Sequence, residues 1–210
     1  MINDSQRFAG QVRSVLEGEF PKGRLLTVGT TPQVFQDLGV PRLKIVMRPE
    51  KVRSILNSHD VTEGMISMST DKLTKPVMIF ESSTQHNALA VLLDIIDRKG
   101  RPVIAALHIA VWQGFGPVNR LASLYGKDSF QHWINQQIET GRLLYIDNKK
   151  ALRLLDSTGF QLPRDVFLRT RANDAKLSDN LSINQSKVKK NNQLKPLLTI
   201  KNKGSSHENK

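Results

Sequence analysis

Cleaving RNA without a metal needs three things at one phosphate: a base for the 2′-hydroxyl proton, an acid for the leaving oxygen, and donors or cations for the crowded intermediate. This 210-residue chain offers suitable side chains at His59, Glu81, Ser82, Ser83, His108, Arg120, Ser123, Tyr125 and Lys127. Ser123 and Tyr125 stand two apart in an apolar run. On a regular strand they share a face with Leu121, while Arg120, Ala122 and Leu124 take the other. Lys127 follows where the run gives way to a helix, whose free amides attract anions. Such a group could hold a phosphate; the plainer alternative is a hydroxyl bonded to backbone and a tyrosine at a strand rim.

His59 ends a helical pattern whose apolar face includes Ile55 and Leu56. The carboxyl end of a helix favours a cationic imidazole and so a general acid, unless His59 merely caps the helix carbonyls. Glu81 shares its strand face with Val77 and Ile79, and reads either as a base or as a solvated carboxylate at a sheet edge. His108 alternates with Ile104 and Ala106, the pattern of a half-buried structural histidine. His86 lies in a polar turn, and His132 sits beside Trp133 on a helix. No two histidines have ligand spacing, so no metal or other cofactor is expected. Gly114-Phe115-Gly116-Pro117 reads as a turn, because no helix follows it as a nucleotide fingerprint requires.

The elements that must position these groups follow from periodicity. Asp4 or Ser5 can cap a helix burying Phe8, Val12, Val15 and Leu16. Short strands are expected at Arg24–Val28 and Leu43–Met47, with short helices after Pro32 and Pro49. Asp60 and Glu63 have capping-box spacing for a helix over Thr62–Leu73. A block of four strands comes next: Pro76–Ser83, Leu89–Asp97, Val103–Ala110 and the run ending at Lys127. The turn Arg98-Lys99-Gly100-Arg101 joins its second and third members. That turn, with Arg120, supplies candidate RNA-binding cations. A helix through Phe130, Trp133 and Ile134, a strand at Leu143–Ile146 and a helix capped by Asp147 close the ordered part.

The net charge of +12 points to a polyanionic partner. Half of it, +6, falls in Arg171–Lys210, where nine Lys/Arg face three Asp/Glu. That segment lacks hydrophobic periodicity and reads as a disordered basic tail, with one apolar island at Leu194–Ile200. Cysteine is absent, which removes disulfides and thiolate chemistry. No apolar run approaches the ~20 residues of a membrane span and the first residues are no secretory signal, so a soluble, cytoplasmic chain is expected, with no membrane partner.

The order of several short motifs resembles the carboxyl-terminal domain of phage MuF-like head proteins, which is grouped with the barnase–EndoU–colicin–RelE toxin nucleases. The matching pieces are Val28-Gly29-Thr30-Thr31-Pro32 with Leu38-Gly39, Ser58-His59, Pro76 to Ser82, Arg101-Pro102-Val103 leading to Leu107-His108, and Ala122 to Asp128. Leu144-Tyr145 and Gly159 to Pro163 complete the series. The resemblance implies a curved, mostly antiparallel sheet with RNA on it, and metal-independent RNA cleavage. It further implies an immunity protein or a phage head component as partner, and a place in the virion or delivery into a target cell. His59 resembles the family histidine after the amino-terminal helix, and Ser123 and Tyr125 the polar pair on a later strand. Glu81 and Lys127 are added from chemistry alone.

Together these readings give an α+β fold: N-terminal helices, a four-stranded, mostly antiparallel sheet, C-terminal helices and a disordered basic tail. The expected divisions are an N-terminal helix over 1–24, a nuclease-like domain over 25–170 and the tail over 171–210. With the head-protein portion missing, a stand-alone form or a prophage fragment is expected. The leading expectation is a ribonuclease-like toxin. The alternative is a non-catalytic domain that binds nucleic acid or a phage head component.

Overall fold

The computed structural model describes residues 3–162 and Val166; the tail expected over 171–210, with its apolar island, lies outside the described residues. The first helix, α1 (Asp4–Glu17), is capped by Asn3, whose side chain accepts the Gln6 N–H while the Gln6 side chain accepts that of Asn3. Both donors at this helix start are thereby satisfied. Phe8, Val12 and Val15 form its buried stripe.

The chain continues through β1 (Leu26–Thr30), α2 (Gln33–Asp37), β2 (Lys44–Met47), α3 (Pro49–Ser58) and α4 (Glu63–Thr74). Then come β3 (Met78–Glu81), β4 (Ala88–Ile96), β5 (Pro102–Trp112), β6 (Pro117–Gly126), α5 (Phe130–Glu139), β7 (Leu143–Ile146) and α6 (Asn148–Thr158). The cap of α4 is Thr62, whose hydroxyl accepts the Met65 N–H. Asp60 is thus released from the capping role expected of it.

The expected four-stranded sheet is corrected to a seven-stranded mixed one, in the order β1-β2-β6-β5-β4-β3-β7. The β2–β6 pair is parallel and the other five are antiparallel. The reason is backbone satisfaction: strands of four or five residues left alone would strand a row of amide and carbonyl groups. The three short runs outside the central block therefore join it. Ile45 and Val46 of β2 lie opposite Asn119 and Arg120 of β6, and β7 lines up against β3.

Two apolar clusters occupy the two faces. One joins α1, α3 and α4 to Ile79, Val91, Ala105 and Leu124; the other joins α5 and α6 to Met78, Leu92 and Ile104. A bulge on β6 at Ala122 breaks the alternation read from sequence, since Ala106 pairs with Ser123 but the next residue, Leu107, pairs with Leu121. Leu121 and Leu124 consequently enter the first cluster, while Tyr125 packs on the second. Sharing of a face by Leu121 and Tyr125 is thus also corrected: one extra residue flips the side-chain order.

The β5–β6 hairpin outruns its neighbours. β4 follows β5 only to Ala88 opposite His108, yet β5 and β6 continue to Trp112 opposite Pro117. A second bulge kinks this arm at Ala110, where φ is +50°. Buried Asn119 pins the base: its Oδ1 accepts the Ala110 N–H at 2.9 Å, and its Nδ2 donates to Thr31 Oγ1 at 2.8 Å and to the Pro41 carbonyl at 3.1 Å. At the tip, Phe115 is fully exposed and Trp112 is 72% exposed.

Candidate functional site

α3 ends against the free upper edge of β6, and this brings together residues that the sequence presents separately. His59 closes α3 by donating its backbone N–H to the Ile55 carbonyl at 3.0 Å. Its ring lies 5.8 Å from that of Tyr125, centroid to centroid, with the planes tilted by 43°. Burial pushes the Tyr125 hydroxyl up, which keeps it a neutral donor at pH 7. Beyond the bulge, Ser123 shares the face of Tyr125 about 7 Å along the strand, and its hydroxyl has no hydrogen-bond partner among the described residues. Lys127 donates its backbone N–H to Pro102 at 3.3 Å. Just beyond it α5 begins, with Ser129 at a start that has no side-chain cap.

Glu81 does not join this group. It pairs with Leu89 near β7, three strands from β6, which is about 14 Å across the sheet at the usual strand spacing. That exceeds hydrogen-bond reach.

Beside His59 lies a charge network centred on Asp97, which was not among the expected site residues. The Asp97 side chain is wholly buried. Its Oδ1 accepts the backbone N–H groups of Lys99 and Arg101, each at 2.9 Å, and its Oδ2 accepts Arg101 Nε at 2.8 Å. The same guanidinium reaches Asp60 Oδ2 at 2.8 Å and also Asp128. Lys99 Nζ pairs with Asp60 at 2.9 Å. Asp97 first, and then Asp128, raises the Arg101 pKa against the opposing effect of burial. The Lys99 hydrogen bond holds Asp60 below the usual carboxylate range, again against desolvation. Gly126 makes room for this packing, for a Cβ there would stand 1.9 Å from Asp97 Oδ2.

Of the cations expected to meet RNA, then, Arg101 is committed to three carboxylates and Lys99 to one of the same three. Arg98 is exposed and donates its backbone N–H to the Asp60 carbonyl. The available signal for the network was Asp97 itself: an aspartate opening a turn accepts the N–H two residues on.

Arg120 forms a separate pair on the open half of the sheet face. Its Nη2 lies 3.0 Å from His108 Nδ1. A guanidinium only donates, so Nδ1 accepts and the imidazole proton sits on Nε2. Burial, then the neighbouring Arg120 charge, lowers the His108 pKa; burial, then Arg48, lowers that of Arg120. The sign for stability follows. The unfolded chain takes up a proton near pH 6.5 while folded His108 stays neutral, so stability is lost as pH falls below about 6.5 and levels off under the folded value. The thermal midpoint is expected to drop between about pH 7.5 and 5.5, with a shallower drop in His108→Gln, which keeps an acceptor for Arg120. Equal slopes in the two proteins would remove His108 from this role.

Residues 51–153 match the family described as the phage MuF-C-terminal domain. No curated protein and no solved structure matches the chain. The match runs from α3 into α6, just under half of the chain, and brings no nuclease toxin group with it. No helix among the described residues is long and apolar enough to cross a membrane.

Proposed function

We propose that this chain is a phage-head-associated docking domain that binds a protein component of the particle and carries out no turnover. The observation that carries this reading is the β5–β6 arm, which projects beyond β4 and β2 with Trp112 and Phe115 exposed at its tip. Leaving two large aromatic side chains in water forfeits burial worth roughly 1.5–3 kcal/mol each. Such residues are the usual anchors of protein interfaces. The base of the arm is fixed by Asn119, so the tip is presented with little ordering cost on binding. The family match supplies the phage setting.

The test is co-sedimentation of the purified chain with heads of the phage that encodes it. Trp112→Ala with Phe115→Ser is expected to weaken capture by roughly 30-fold or more, the effect of losing one interface anchor. Its thermal midpoint should match the parent, because neither side chain is buried. Undiminished capture by the double variant, or no capture of the parent, would overturn the reading.

One observation favours a second reading, metal-independent RNA cleavage: the approach of His59 to Tyr125, with Ser123 on the same face as the tyrosine. In it, His59 is the acid or base, Tyr125 and Ser123 orient the phosphate, and Lys127 and Arg98 supply charge. Cleavage of labelled RNA in EDTA, lost in both His59→Ala and Tyr125→Phe, would select it over docking alone.

A further inference from the structure

We propose that the cleft between the end of α1 and the start of α3 binds a nucleoside phosphate, either free or as one unit of a single strand. The cleft encloses about 510 Å³, within the range of small-molecule sites. Four cations line it, Lys22, Arg24, Arg48 and Arg53, against the single carboxylate of Glu50. Lys22, Arg24 and Arg48 make no ion pair or side-chain hydrogen bond among the described residues. Arg53 is held by one bond, from Nη2 to the Val15 carbonyl at the end of α1, and its other donors find no partner among the described residues.

Gathering unpaired cations around one concavity costs mutual repulsion, which an anion relieves. This arrangement is opposite to that at Arg101, where carboxylates surround the cation. The first turn of α3 adds to the positive field, since it starts at Arg48 and Pro49 with no side-chain cap. The remaining lining includes half-buried Phe20 and Leu25 together with Pro49. Those surfaces suit the flat face of a base and do nothing for a bare phosphate. Most of the cleft lies before residue 51 and so outside the matched segment. Its assignment is independent of the docking arm.

The test uses the full chain with three probes: a fluorescent ATP analogue, a short labelled oligothymidylate, and unlabelled tripolyphosphate as competitor. Binding by the parent is expected to weaken at least about tenfold in Lys22→Glu with Arg24→Glu. Those residues are exposed, so the melting curve should not move, and Arg48→Glu provides a second route to the same loss. Tighter binding of the oligothymidylate assigns a strand, and tighter binding of the ATP analogue assigns a free nucleotide; either supports the site. Binding of neither probe, affinity that survives both sets of charge reversals, or tripolyphosphate displacing the ATP analogue as tightly as the analogue itself binds would overturn it. The Trp112 and Phe115 variants should bind both probes normally, which separates this test from that of docking.

Discussion

Asp97→Ala is expected to destabilise the protein by about 3–5 kcal/mol, because three donors lose the one wholly buried carboxylate that accepts them, at roughly 1–3 kcal/mol for each donor left unsatisfied. The loss has two sources. Arg101 keeps Asp60 and Asp128 but loses the only wholly buried one of its three carboxylates, which holds it through Nε and Nη2. The β4–β5 turn also loses the acceptor that ties down the Lys99 and Arg101 amides. At roughly 2–4 °C per kcal/mol for a chain of this size, the thermal midpoint should fall by about 6–20 °C. Asp128→Ala makes the contrast, because that carboxylate is 85% exposed and an exposed pair contributes about 0–1 kcal/mol. Urea titration of both variants decides the matter. If Asp97→Ala were no worse than Asp128→Ala, the network would be surface decoration and not part of the fold.

Gly126→Ala is expected to cost about 2–3 kcal/mol for a single added methyl, in the range of overpacked interiors. The backbone at Gly126 is not in the left-handed region, so its conformation alone would admit alanine. The cost comes from collision: the new Cβ would lie 1.9 Å from Asp97 Oδ2 and 2.9 Å from Arg101 Nε. This predicts coupling. In an Asp97→Ala background the worst contact is gone, and Gly126→Ala should cost about 1–2 kcal/mol less than in the parent. Strict additivity in the double-mutant cycle would mean that the strain arises elsewhere.

Much of the fold could be read from the chain because its segments are strongly periodic. The stripe Phe8, Val12, Val15 marks α1, and the apolar runs at residues 78–81 and 88–96 mark β3 and β4. Pairing was harder. Nothing near Ile45 announces that it will lie beside Asn119, since a parallel neighbour is chosen by the topology and not by local residues. The bulge at Ala122 carries no glycine or proline to advertise it, so strict alternation places Leu121 on the wrong face of β6.

At the site, His59 and Tyr125 could each be singled out by type and position, but their 5.8 Å approach depends on where α3 ends along β6. Asp60 looks like a helix cap in the sequence because its spacing to Glu63 imitates one. Thr62 takes that role in the fold, leaving Asp60 to bind Arg101 and Lys99. The sequence marks the tip of the arm only as the turn Gly114 to Pro117, because the exposure of Trp112 and Phe115 depends on β4 and β2 stopping short.

The parallel β2–β6 pair also sets an order of events during synthesis. β2 is complete at Met47, but its partner does not begin until Pro117. At roughly 5–20 residues per second, the ribosome delivers the first strand several seconds before the second. Through that interval the amino-terminal quarter has Leu26, Phe35, Ile45 and Met47 ready to be buried but lacks the sheet they will cover. The part of the chain made first is therefore among the last to be secured, and its exposure time is set by translation speed as well as by stability.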